Sequence, residues 1–193
     1  MTYGLSGVPG SGKTTLARAL SSKMRHIERL NNVELVSEYA RRYISKHGLM
    51  ESLWEQYRCI SKQIEWEDSV LCDIMITDSP IYLGLLYASE YDHTSPKNSM
   101  CYNDIFKMLV KTCINKPRYD LIIHLDPVYE PVQDNVRASN HFDPAWRNDN
   151  NEFIKILFTK MFRPSKLLIL NDLDMDKRIN KGIKLIQDIT YNK

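Results

Sequence analysis

At 193 residues the sequence is long enough for one sizeable core and short for two, so a single domain over residues 1–193 is expected. Hydrophobic residues make up 43% and charged residues 26%, the make-up of an ordinary soluble protein. The formal net charge of +2 is too mild to argue for a nucleic-acid face by itself, and there is neither a signal-like leader nor a run of about 18 apolar residues. A cytosolic protein with no membrane partner and no evident obligate protein partner is the expectation.

The chain opens with an apolar run that predicts a strand at Thr2–Ser6, followed by a Gly-rich loop and a helix to about Arg25 that packs Leu16, Ala19 and Leu20 inward. Val33–Val36 reads as a second strand running into the charged segment Ser37–Arg42. From about Met50 to Val70 the period is helical, with Trp54, Tyr57, Ile60, Ile64 and Trp66 on or near one face, read as core rather than as a stacking platform. Ile74–Asp78 is a buried-strand pattern ending in a carboxylate. A helix is expected over Ile81–Ala88, a polar turn-rich stretch over Tyr91–Asn103 and another helix over Ile105–Ile114. Tyr119–Leu125 reads as a strand whose His124 is a packed core histidine. Val128–Asn151 is long, polar and aromatic, which marks it as a functional lid of about residues 128–151. A helix at Glu152–Met161, a strand at Lys166–Leu170 and a helix at Asp174–Ile189 close the chain.

Strands alternating with helices imply an α/β fold, a parallel sheet with helices on both faces and ligands at the carboxyl ends of its strands. Gly7, Glu38, Asp78 and Asp126 stand at those ends and are expected to converge on one crevice. Cys59, Cys72, Cys101 and Cys113 have neither C-x-x-C spacing nor a histidine at ligand distance, so zinc and redox chemistry are not indicated.

The sharpest signal is Gly7-Val8-Pro9-Gly10-Ser11-Gly12-Lys13-Thr14, which fits G-x-x-x-x-G-K-[ST], the P-loop or Walker A pattern, between a strand and a helix. Its ligand is a nucleoside triphosphate, ATP or GTP, with Mg²⁺. Glycines let the backbone aim N–H groups at phosphate oxygens, and the helix start presents its positive end to the same anion. The nucleotide-binding set is therefore Gly7, Gly10, Ser11, Gly12, Lys13, Thr14 and Thr15, with Lys13 reaching the β/γ-phosphates and the Thr14 hydroxyl on Mg²⁺. Asp78 reads as a carboxylate near the metal, either a water-mediated ligand or the base for an acceptor hydroxyl; the competing account is a helix cap. Glu38 is read as acceptor-side, with Arg41 and Arg42 as phosphate contacts or plain surface charges. Asp134 and Arg137 share one side of a helical turn, which suits a lid arginine that stabilises transition-state charge, against the alternative of a local ion pair. Arg147 is a second, weaker lid cation.

Together with Glu38-Tyr39-Ala40-Arg41-Arg42-Tyr43, Ile76-Thr77-Asp78-Ser79-Pro80 and Gln133-Asp134-Asn135-Val136-Arg137, the loop makes the chain resemble P-loop kinases of the nicotinamide riboside kinase type. These form the NadR-like group, sometimes classed as AAA-type ATPase domains. The resemblance implies a kinase-like P-loop fold, nucleotide binding at Gly10, Gly12, Lys13 and Thr14, acceptor-side roles for Glu38 and Asp78, and a lid role for Arg137. The Asn-His-Phe-Asp-Pro-Ala-Trp run at 140–146 departs from that pattern. Three functions follow: a phosphotransferase acting on a hydroxyl of a nucleoside-like small molecule, a phage-type kinase of hydroxymethylpyrimidine in DNA, and a nucleotide switch. A switch calls for a water-positioning glutamine, and no glutamine is reliably placed for it.

Overall fold

The computed structural model describes residues 1–27, 32–90, 108, 111, 118–131 and 138–191. Five strands form one sheet: β1 (Thr2–Ser6), β2 (Val33–Val36), β3 (Ile74–Thr77), β4 (Leu121–Leu125) and β5 (Leu167–Leu170). All pair in parallel, in the order β2-β3-β1-β4-β5. Among the described residues the longer helices are α1 (Lys13–Arg25), α2 (Tyr39–His47), α3 (Leu53–Ser69), α4 (Leu83–Glu90), α5 (Pro144–Met161) and α6 (Met175–Tyr191).

The inner strands are mainly apolar because both faces of the sheet are covered, and β4 shows how its side chains are shared. Leu121, Ile123 and Leu125 pack with Leu16, Leu20, Met24, Ile179 and Ile186 of α1 and α6, whereas Ile122 between them packs with Ile60, Leu83, Ile154 and Phe158 of α3, α4 and α5. Gly182 lets α6 approach α1 closely: a Cβ there would sit 3.1 Å from Leu20 Cδ2. Gly84 does the same between α4 and α3, where a Cβ would collide with Ile60.

Register fixes what the carboxyl edge presents. Val36 and Thr77 are partners, as are Gly4 and Thr77, Ser6 and His124, and Leu125 and Leu170. Gly7, Asp78 and Asp126 therefore leave the same edge one step after their strands end, and Glu38 two steps after β2. The convergence expected from the sequence is present in the backbone.

Two expectations change. The final third of the supposed lid is helix: Asp143 caps α5 by accepting a hydrogen bond from Ala145 N at 3.0 Å, and Pro144 occupies the first helical turn. The helix thus begins at Pro144 rather than Glu152, because a carboxylate cap followed by proline is a strong start even within a polar stretch. On α3 the buried face is Leu53, Gln56, Ile60, Gln63 and Glu67, and Trp54 is 63% exposed. Tyr57 is partly buried against the core while Trp54 lies outside it, and Gln63 and Glu67 can take inner positions because they bond to each other and to Thr77 and Tyr119. The polar stretch at 91–103, the helix at 105–114 and the pair Asp134 and Arg137 lie outside the described residues, apart from Met108 and Lys111.

Candidate functional site

The loop after β1 turns on three residues with positive φ: Gly7 at 143°, Gly10 at 79° and Gly12 at 93°. At Gly7 a side chain is also sterically excluded, since a Cβ would stand 2.6 Å from the Leu125 carbonyl oxygen and from Ser11 Oγ. Lys13 curls back over the loop and donates from Nζ to the carbonyls of Gly7 at 2.7 Å and Val8 at 3.0 Å. Helix α1 makes its first turn with Leu16 N bonded to the Gly12 carbonyl at 3.0 Å, so the N–H groups before it lack acceptors within the helix. This is an anion cradle, with a cation and a helix start facing one place. The Thr15 side chain is exposed on the outer side of that turn; its backbone N–H belongs to the cradle.

Beside the cradle, Thr14 Oγ1 donates to Asp78 Oδ2 at 2.7 Å. Asp78 is 5% exposed, and its second oxygen, Oδ1, is buried with no hydrogen-bond partner among the described residues. A buried carboxylate oxygen left over beside a hydroxyl fits a hard cation that also takes oxygens from phosphate and water. Thr14 and Asp78 are the residues that would hold such a cation, and no cluster of three or more His, Cys, Asp or Glu suited to a metal occurs among the described residues.

On the other side of β3 lies a pocket open to solvent and lined by Glu38, Gln56, Gln63, Pro80, Ile81 and Tyr87 among others. Its walls hang on a buried network that sequence reasoning missed. Gln63 Oε1 accepts from Tyr39 N at 2.8 Å, which fixes the start of α2 and with it Glu38; Gln63 Nε2 reaches Thr77 Oγ1 at 3.3 Å and Glu67 Oε1 at 3.4 Å. The Tyr119 hydroxyl lies 3.0 Å from both Glu67 oxygens and accepts from Ile81 N at 2.9 Å. Burial raises the Glu67 carboxyl above its usual range, opposed by Tyr119 and by Arg118, whose Nε stands 3.5 Å away. The same burial, with the Glu67 charge, pushes the Tyr119 phenol well up. The available signal was the spacing of Gln56, Gln63 and Glu67, a polar stripe at helical period along α3.

Glu38 lines the pocket and stands 3.8 Å from Arg41 Nε. Arg42 instead lies over the Trp66 ring, 5.5 Å from its centroid. His124 is fully buried: its Nε2 meets Asn151 Oδ1 at 2.9 Å and its Nδ1 meets Ser6 Oγ at 3.3 Å. Asn151 in turn donates from Nδ2 to Asp126 Oδ1 at 2.9 Å, so its oxygen faces His124 and the imidazole carries its proton on Nε2. Burial drops the His124 pKa to about 4, and the ring is neutral.

Two arginines bind backbone at the carboxyl edge. Arg178, fully buried, donates to the carbonyls of Asp172 at 2.6 Å, Ser11 at 3.1 Å and Asp126 at 3.0 Å, with the Tyr129 ring 5.2 Å from its guanidinium carbon. Burial lowers its pKa. Sequence reasoning missed it because one arginine in an amphipathic helix looks like surface. Arg147, expected as a lid cation, sits buried on α5 and donates to the Tyr129 carbonyl at 2.8 Å, which anchors the segment whose Pro131 crosses Gly10.

The fold is that of α/β P-loop NTPases of the nucleotide-kinase kind. Among the described residues no helix is long and apolar enough to cross a membrane. Similar solved structures include the NadR protein in complex with NR, at 21% identity and a TM-score of 0.69, with 100% of this chain and 52% of that one covered. The chain thus spans about half the length of that NadR chain. Deoxyadenosine kinase from M. mycoides with bound dCMP and dCDP products is 15% identical at a TM-score of 0.67, covering 97% of this chain and 100% of that one. Thymidylate kinase from Ehrlichia chaffeensis is 18% identical at 0.62, covering 97% and 98%. At these identities the likeness is one of fold. No curated protein sequence matches the chain significantly. The AAA domain family AAA_28 matches residues 3–178, a span from the second residue of β1 to Arg178 that takes in the cradle, and the chain belongs to that family.

Proposed function

We propose that this chain is a phosphotransferase that moves the γ-phosphoryl of Mg·ATP, or Mg·GTP, to a hydroxyl of a nucleoside-like acceptor. A P-loop domain implies binding of a nucleoside triphosphate, and that alone suits a switch as well as a kinase. The observation that carries the kinase reading is the pocket across β3 from the cradle, with the carboxylate of Glu38 in its lining and Ser79 and Pro80, the residues directly after Asp78, in its wall. A switch has no use for a second substrate pocket.

In this reading Gly7, Gly10, Ser11, Gly12, Lys13, Thr14 and Thr15 hold the triphosphate, and Lys13 exchanges its loop carbonyls for β/γ-oxygens. Thr14 and Asp78 hold Mg²⁺, which when bound supplies charge that offsets the phosphates. Glu38 orients the acceptor hydroxyl and accepts its proton, while Arg137 of the lid segment stabilises charge on the transferring group. The NadR structure with NR and the deoxyadenosine kinase structures support a nucleoside-like acceptor by their fold.

The deciding experiment measures label transfer from γ-labelled ATP with nicotinamide riboside, deoxynucleosides or hydroxymethyluracil-containing DNA as acceptor. Transfer to a free nucleoside is the expected result. Label in DNA alone would replace the small-molecule acceptor with a DNA base, and hydrolysis indifferent to every acceptor would make the chain a switch.

A further inference from the structure

Gln56 is 3% exposed, lines the pocket and has an amide whose two ends are treated differently. Its Nε2 donates to the Gly84 carbonyl, 3.5 Å away. A carbonyl can only accept, so this contact fixes the amide orientation and leaves Oε1 as the other end. That oxygen is buried and has no hydrogen-bond partner among the described residues. The other glutamine of the pocket is spent, since Gln63 holds Tyr39 N with its oxygen and faces Thr77 and Glu67 with its nitrogen. Cys59, also in the lining, adds no charge: burial pushes its thiol up to about 12. Gln56 therefore brings a neutral acceptor to a lining that also contains Ile60, Pro80 and Ile81, separate from the charged acceptor Glu38.

We infer that Gln56 is a specificity-determining residue, whose Oε1 selects nucleosides with an N–H donor on the edge of the base. This rests on the kinase reading and names its acceptor class. The charged carboxylate suits sugar hydroxyls; the neutral amide oxygen suits an N–H on the rim of a flat ring, such as a carboxamide or exocyclic amine. A base with only lone pairs at that edge leaves Oε1 desolvated and unpaired, and a site built around such a bond discriminates strongly against the analogue that lacks it.

Two pairs of ribosides that differ in little but the N–H test this by calorimetry without ATP, so that binding is read apart from transfer: nicotinamide riboside against 3-acetylpyridine riboside, and adenosine against purine riboside. In at least one pair the N–H member is expected to bind the unaltered protein at least about tenfold more tightly, and Gln56→Met is expected to erase the difference. Equal binding within both pairs, or no binding of any riboside, overturns the inference, as does discrimination that survives in Gln56→Met. The comparison on the unaltered protein stands alone if that variant fails to fold. Label transfer to the same four compounds separates the two ideas: equal transfer to members with and without N–H removes the role of Gln56 and keeps the kinase, whereas transfer to no acceptor at all removes the kinase.

Discussion

The two faces of the sheet are built from different chemistry. Toward α1 and α6 the packing is almost all hydrocarbon, from Leu5 and Leu16 to Ile179 and Ile186, with Ser21 and the Tyr3 hydroxyl as small polar exceptions and Arg178 as a buried cation at the carboxyl edge. Toward α3, α4 and α5 the core also contains Gln56, Gln63, Glu67, Thr77, His124 and Asn151, all nearly inaccessible. Buried polar groups stabilise little compared with well-packed hydrocarbon and are expensive when left unpaired. Their concentration on one face agrees with the acceptor pocket proposed there, and the other face supplies rigidity.

Substitutions can break that contrast or sharpen it. The largest effect is expected at the cradle, which both faces support: Lys13→Ala should lower phosphoryl transfer by roughly 10³-fold or more through lost charge stabilisation, with an unchanged melting temperature. Turnover like that of the unaltered protein would remove the proposed role of Lys13. On the hydrocarbon face, Leu20→Ala opens a cavity beside Gly182 and should cost about 2–5 kcal/mol of stability, read from urea unfolding, with acceptor KM held constant. A shift in KM without loss of stability would show that this face, too, shapes the pocket.

On the polar face, Tyr119→Phe strips Glu67 and Ile81 N of a shared partner. A loss of about 1–3 kcal/mol is expected, accompanied by a higher acceptor KM because Ile81 lines the pocket. The smallest effect is one of slope. The Glu67 carboxyl is raised in the folded chain above its value of 4.5, so its contribution is fully present below that pH and declines as pH rises through the folded value. Glu67→Gln should flatten that decline in a series of urea midpoints from pH 4 upward. A midpoint profile parallel to that of the unaltered protein would mean that Glu67 does not titrate between the two states.

The same contrast explains what could be read in advance. All five strands were visible as mainly apolar runs, most clearly β3 and β4, whose positions are buried on both sides, and the P-loop was visible because its glycines answer to backbone geometry. Asp78 was visible as a charge closing such a run. The α3 network was hidden, since a search for apolar periodicity places Gln63 and Glu67 outside and Trp54 inside, the reverse of what occurs. Arg178 was hidden because nothing local marks a side chain that serves the distant carbonyls of Ser11 and Asp126. The start of α5 did carry its signal, Asp143 followed by Pro144, within a stretch whose polarity suggested a loop.

Arg178 and the Ser11 carbonyl it grips are separated by 167 positions. During synthesis on the ribosome, the Gly-rich turn near the beginning emerges long before the guanidinium that braces it. Until α6 has docked, that turn lacks its brace, so competence to retain nucleotide should arrive late and abruptly as the chain matures, and a nascent polypeptide ending before residue 178 should release nucleotide far faster than one that extends beyond it.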